Sequence, residues 1–382
     1  KEVVRSFLAL HLLVYAPTGA IVASPTTSLP EDMGGERNWD YRYCWLRDAS
    51  FVLGTLYRLG DYLEAQAFSR WLIHRAGVTT RAMHIVYSVT GDSRLTEREL
   101  DHMEGYRGSK PVRIGNRASL QRQSDVYGEM ALSIYTHYKY SGLMTEEAWP
   151  IMERMANLAC TQWRKKDRSI WEVRGPQRHF VYSKVMCWAA LDRAVRLALA
   201  KARKAPVDLW RAQAAAIRRQ VLDRGWSPTK KAFVQRYGSD ALDASALMML
   251  FVGFIPPNDP RMVSTVGRIQ EELAQGPFLH RYVPDLALEG VSGGEGAFVM
   301  LSFWLAGALL YIGQAEKAAK IFQELLKSAN HLGLYAEMVS PASRELLGNF
   351  PQALSHLGLL HTARNLTLVL ERGQTLLGQE AS

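Results

Sequence analysis

The sequence predicts an all-α protein in which an inner ring of six helices is enclosed by an outer ring of six. Three observations carry this. About twelve segments show helical periodicity; their connections alternate between short and long; and an evenly apolar helix tends to be followed by an amphipathic one. An evenly apolar helix must be enclosed, whereas an amphipathic one faces water on one side.

In order, the helical stretches fall near 2–15, 46–59, 61–76, 121–142, 145–166, 180–202, 206–224, 242–252, 260–275, 296–312, 314–329 and 351–372. Gly60, Ser141–Gly142 and Gly313 mark tight turns, while 16–45, 77–120, 167–179, 225–241, 276–295 and 330–350 are long loops with few convincing strands. Short links fold neighbouring helices into antiparallel hairpins. Six hairpins result, and every long loop emerges at the same end of the double barrel.

Two segments resemble membrane or export signals. "GAFVMLSFWLAGALLYI" (296–312) is uncharged and nearly long enough to span a bilayer, but an amphipathic segment follows directly, so a buried core helix is expected. "KEVVRSFLALHLLVYAPTGA" has the basic start and apolar run of a leader. Val4, Phe7, Leu8, His11 and Leu12 nevertheless share one helical face, which predicts a folded amphipathic helix, and the missing initiator Met suggests that the chain begins inside a longer protein. No motif recurs at a fixed period, which argues against a solenoid. Without a Pro-, Gly- or Ser-rich linker, residues 1–382 read as one domain.

Composition narrows the partners. The chain has 48% hydrophobic residues, ten Trp and sixteen Tyr, which suits a globular protein. Its net charge of +9 would fit a nucleic acid if the bases clustered. The densest runs, "WRKKDR" and "KARK", instead sit at helix ends, where cations complement the macrodipole. Neither a nucleic-acid nor a membrane partner is expected. Cys44, Cys160 and Cys187 lack CxxC spacing and read as buried free thiols, which points to a reducing cytoplasm. The ten His form no HExxH pair, so no metal is expected, and no cofactor.

The loops carry the chemistry. Loop one concentrates Trp39, Asp40, Tyr41, Trp45, Arg47 and Asp48; loop three holds "IWEVRG", loop five "RYVPDLALEGVSGGEGAF" and loop six "GLYAEM". Aromatic planes beside fixed charged groups suit a sugar, which offers an apolar ring face and an equator of hydroxyls. Arg47 and Asp48 are placed to grip one edge of such a ring. Hydrolysis of a glycosidic bond needs an acid at the leaving oxygen and a second carboxylate on the opposite face. Glu172 is the candidate acid, with Trp171 expected to limit its hydration and raise its pKa; Glu337 is the candidate base. The competing reading is a pair of salt-bridged glutamates, with Arg174 or Arg178 paired to Glu172.

"RNWDYRYCWLRDASF", "QSDVYGE", "IWEVRG", "GGEGAF", "GLYAE" and "GNFPQALSH", preceded by "PTTSLPE", resemble in order the bacterial branch of glycoside hydrolase family 15, which includes glucoamylases and trehalases. The resemblance implies an (α/α)6 barrel and inverting exo-attack on α-glucosides that releases β-glucose. By motif, Glu172 falls on the general acid and Glu337 on the general base; Arg47 and Asp48 fall on the pair holding the terminal glucose. Tyr41, Trp45 and Trp171 match pocket aromatics, and Arg281 matches an arginine contacting the same sugar. Fungal members carry a second Glu after the acid; here Val173 stands there, followed by Arg174, a further candidate substrate contact. That departure leaves isomaltose and trehalose open beside starch-type substrates. Bacterial relatives usually carry an N-terminal β-sandwich, and the sequence starts where it would end. A glucan-binding module without catalysis, and a polysaccharide lyase, are the competing functions; retention of both carboxylates argues against each.

Overall fold

Helices predominate among the residues that the computed structural model describes, which are 1–78, 83–144, 146–285, 289–291, 293–373 and 376. They contain α1 (Glu2–Leu12), α2 (Leu46–Leu59), α3 (Tyr62–Val78), α4 (Val126–Ser141), α5 (Ala148–Gln162), α6 (Val181–Ala200), α7 (Val207–Arg224), α8 (Met248–Phe251), α9 (Pro260–Leu273), α10 (Val299–Tyr311), α11 (Ala315–Leu326) and α12 (Ala353–Leu366). Left-handed Gly60, Gly142 and Gly313 follow α2, α4 and α10, with φ of 83°, 68° and 82°. These are the turns read from the sequence, and they need a residue without a Cβ.

The even-numbered helices close a ring. Helix α2 packs on α4, α4 on α6, α6 on the 3-10 turn Ala244–Leu247 that leads into α8, that turn on α10, α10 on α12, and α12 back on α2. Odd-numbered helices pack outside them, with α3 on α2, α5 on α4, α7 on α6, α11 on α10 and α1 on α12. Burial follows the sequence pattern. Every residue of α10 is buried, whereas α11 buries only the stripe Ala318, Ile321 and Leu325. No helix among the described residues is long and apolar enough to cross a membrane, and the three cysteines are buried free thiols.

Three expectations need correction. The stretch 242–252 is not one helix. Asp243 accepts the Ser245 N–H, starts a 3-10 turn and leaves only four residues of α8. The stretch 121–142 begins its helix at Val126, because the polar "QRQSD" before it is loop. In α1 the expected buried face points outward: Val4, Leu8 and Leu12 are 62%, 47% and 73% exposed, and the helix packs through Ser6, Ala9 and Leu10.

Short strands pin the long loops where the inner helices begin. Cys44–Trp45 pairs antiparallel with Val86–Tyr87 just ahead of α2. Ala297–Phe298, Met338–Val339 and Leu346–Leu347 form a three-stranded sheet ahead of α10, with Met338–Val339 in the centre. The predicted loop five is described only in part, since residues 286–288 and 292 of it lie outside the described residues.

Candidate active site

Five of the six long loops line one cavity of about 860 Å3, counted to its open mouth. Tyr41, Trp45, Arg47, Asp48, Trp171, Glu172, Arg174, Arg281 and Glu337 all lie on its wall, so the structure brings together every candidate named from the sequence. Loop four is not on the wall; Asp243, which follows it, supports the wall residue Trp171.

Loop three sets Glu172. Its backbone is left-handed, with φ of 58°, a conformation uncommon outside glycine and held only where surroundings enforce it. The enforcing contacts are local. Its N–H donates to the Ser169 carbonyl at 3.3 Å, Gln121 Nε2 donates to the Glu172 carbonyl at 2.8 Å, and the Arg168 guanidinium holds the carbonyls of Val173 and Gly175. The carboxylate then faces loop one. Trp45 Nε1 donates to Glu172 Oε1 at 2.7 Å, and Arg47 Nη1 approaches the same oxygen at 3.3 Å while donating to the Ile170 carbonyl at 2.7 Å.

Glu337 sits ahead of the central strand Met338–Val339. Its backbone is fixed on both sides: its N–H donates to the Asn349 carbonyl at 3.1 Å, and its carbonyl accepts from Val299 N at 3.0 Å. Tyr41 donates its hydroxyl to Glu337 Oε1 at 2.7 Å. The Tyr41 ring meets Trp45 edge-on, with centroids 5.4 Å apart. The two carboxyl groups, 165 positions apart in the chain, are thus joined across the cavity through two neighbouring aromatics of loop one.

Burial raises the pKa of Glu172, against the opposing pull of Arg47 and the Trp45 N–H. It raises that of Glu337 further, well above the ordinary value, with the Glu31 charge adding to it and Tyr41 and Arg281 opposing. Desolvation disfavours the charged form of both. The same cause acts on each, so position rather than electrostatics has to divide them into acid and base.

The remaining candidates occupy the wall differently from their sequence reading. Trp171 does not hydrogen-bond to Glu172; its Nε1 donates to both carboxylate oxygens of Asp243 at 3.0 Å. Trp45, with Arg47, is the aromatic that reaches the acid. Arg174 likewise leaves Glu172 alone and grips Glu97 with both Nη atoms, at 2.9 and 2.6 Å, its guanidinium 4.3 Å from the Trp39 ring centroid. Arg47 Nε bonds Asp48 Oδ1 at 3.0 Å, and Asp48 Oδ2 is buried without a hydrogen-bond partner among the described residues. An acceptor left so in a cavity wall suits a ligand hydroxyl.

Sequence reasoning missed a buried charge network built into the wall. Arg281 pairs with Glu295, with Nε to Oε1 at 3.1 Å, and lies 3.5 Å from Glu31. Arg37 pairs with Glu289 and lies 3.8 Å from Glu295. "PTTSLPE" and "GGEGAF" contain Glu31 and Glu295, but nothing local in either motif announces a partner some 250 residues away. Gln121 carried no signal. No cluster of His, Cys, Asp and Glu that could hold a metal occurs among the described residues.

The family model of glycosyl hydrolases family 15 matches residues 1–364. A trehalase of Mycobacterium tuberculosis (strain ATCC 25618 / H37Rv) is 45% identical over 360 residues, covering 94% of this chain and 53% of that protein. A trehalase of Thermoplasma volcanium (strain ATCC 51530 / DSM 4299 / JCM 9571 / NBRC 15438 / GSS1) is 42% identical over 367 residues, covering 95% and 58%. The chain therefore spans little more than half the length of these relatives. Among solved structures, a glycosidase in complex with glucose superimposes with a TM-score of 0.76 over 96% of each chain, at 22% identity, which supports the helical barrel.

Proposed function

Because the chain belongs to glycosyl hydrolase family 15, we propose that it hydrolyses α-glucosides with inversion, and that α,α-trehalose is its substrate. One observation carries the reading: Glu172 and Glu337 line the same cavity and are bridged by Tyr41 and Trp45. The names of the relatives turn the choice of substrate from starch-type glucans to trehalose. Val173, buried beside the acid, offers no carboxylate to a following sugar, which agrees with a disaccharide substrate.

In this mechanism a terminal glucosyl unit lies against Trp45 and Tyr41, with Arg47 and Asp48 on its hydroxyls and the acidic pair on either side of its anomeric carbon. Glu172 gives its proton to the glycosidic oxygen as the C–O bond breaks. A water attacks from the opposite face and loses its proton to Glu337. Room for that water calls for carboxyl groups roughly 6.5–9.5 Å apart. Both protons exchange with solvent before the next turnover.

The test is a glucose-release assay on trehalose, maltose, isomaltose and dextrin with the wild type, Glu172→Gln and Glu337→Gln. Hydrolysis of trehalose above the other three, with each variant reduced by roughly 10²–10⁴-fold and an unchanged melting temperature, is expected. No turnover on any of the four by the wild type contradicts the proposal.

A further inference from the structure

Besides Asp48 Oδ2, two buried carboxylate oxygens in the cavity wall lack a hydrogen-bond partner among the described residues. They are Glu31 Oε1 and Glu337 Oε2. Leaving a buried acceptor unpaired costs about 1–3 kcal/mol, more for a charged one, so such atoms call for a ligand or an ordered water. Both residues line the same cavity and are 1% and 2% exposed.

The backbone explains why they lie together. The Pro30 carbonyl accepts from Gly348 N at 2.7 Å, and the Glu31 carbonyl accepts from Gly296 N at 3.0 Å. Gly296 and Gly348 flank the outer strands of the sheet whose central strand Glu337 precedes. Gly348 also keeps the space at Glu337 Oε2 open, since a Cβ there would lie 2.7 Å from that oxygen. Glu31 is held in turn by Arg281, 3.5 Å from its Oε2, while its Oε1 has no hydrogen-bond partner among the described residues.

We propose that Glu31 is a second acceptor for the attacking water, which donates one hydrogen to Glu337 Oε2 and the other to Glu31 Oε1. This rests on the hydrolytic reading above. With both hydrogens committed, the water's lone pair is directed at the anomeric carbon. The new C–O bond forms as the glycosidic bond breaks, one water proton passes to Glu337, and Glu31 keeps the charge with which it entered.

Charge in the network agrees with this role. Among the described residues, Glu31, Glu289, Glu295 and Glu337 face the two guanidiniums of Arg37 and Arg281. Burial raises the Glu31 pKa to about 7, with Arg281, Arg37 and Trp39 opposing and Glu295 adding, so burial and mutual repulsion hold both water-binding carboxyls above the usual range.

The experiment measures pH profiles of kcat and KM on trehalose for the wild type, Glu31→Gln and Glu31→Ala. The amide oxygen of Gln still accepts from water but adds no charge. Glu31→Gln is expected to keep most of kcat and to move the acid limb down by about one unit, because a like charge near Glu337 is gone. Glu31→Ala is expected to lose kcat about 100-fold with little change in KM, as the water is misplaced. Glu31→Ala with wild-type kcat, or an acid limb unmoved in Glu31→Gln, overturns the role; so does equal loss in both variants with a lowered melting temperature, which marks structural support only. A wild type inactive on every α-glucoside would instead contradict the hydrolytic reading itself.

Discussion

Glu172 receives the indole N–H of Trp45 and the guanidinium of Arg47 on one oxygen, and donors to a carboxylate favour its charged form. Removing the indole donor in Trp45→Phe therefore raises the pKa of the acid. The alkaline limb of the kcat profile on trehalose should move to higher pH, with the acid limb left in place; a limb that stays or moves down would show that the indole does not act on Glu172. Glu31 governs a stability effect of opposite origin. Its pKa is raised on folding from 4.5 to about 7, so its contribution is fully present below 4.5 and is lost as pH rises through 7. The drop in melting temperature between pH 5 and pH 8 should shrink in Glu31→Gln, and an unchanged drop would remove Glu31 from the account. At this scale the sequence announced groups of the cavity wall, because Trp, Arg and Asp crowd loop one. Their supports stayed hidden: Asp243 behind Trp171, Glu97 behind Arg174 and Glu289 behind Arg37 are paired through the fold alone.

The inner helix α10 was among the most legible elements, since complete burial leaves an uninterrupted apolar record. Helix α2 begins and ends as read, at 46 and 59, because Gly60 supplies its left-handed stop. The α1 face was misread for a physical reason: Val4, Leu8 and Leu12 have the helical spacing of a core stripe, and periodicity does not say which side is covered. The contrast between inner and outer positions can be measured. Phe303 in α10 is fully buried and packs on Phe322 and Tyr335; Phe303→Ala should cost about 3–5 kcal/mol in chemical denaturation. Leu63→Ala in α3, where the side chain is 77% exposed, should stay within about 0.5 kcal/mol. Equal effects would contradict the assignment of inner and outer layers.

Ring closure makes the site possible across the whole molecule. Because α12 packs on both α10 and α2, the last inner helix returns to the first. Loop six, with Glu337, thereby comes back to loop one, with Tyr41. A ring whose inner helices all begin at one end brings their leading loops to a single mouth. Distant residues converge there without any signature of proximity in the sequence. Alternating loop lengths revealed the hairpins and the common face; the buried charge network, set by side chains meeting across that face, left no comparable trace.

The proposed arrangement of the two glutamates on opposite sides of one glucosyl unit is tested most directly by proton NMR of fresh trehalose hydrolysis, read before the products mutarotate. Both halves of α,α-trehalose have the α configuration. Attack by water from the face opposite Glu172 turns one into β-glucose and releases the other as α-glucose, so equal amounts of the two anomers are predicted at the earliest times. Initial product that is α-glucose alone would mean retention and would contradict the account.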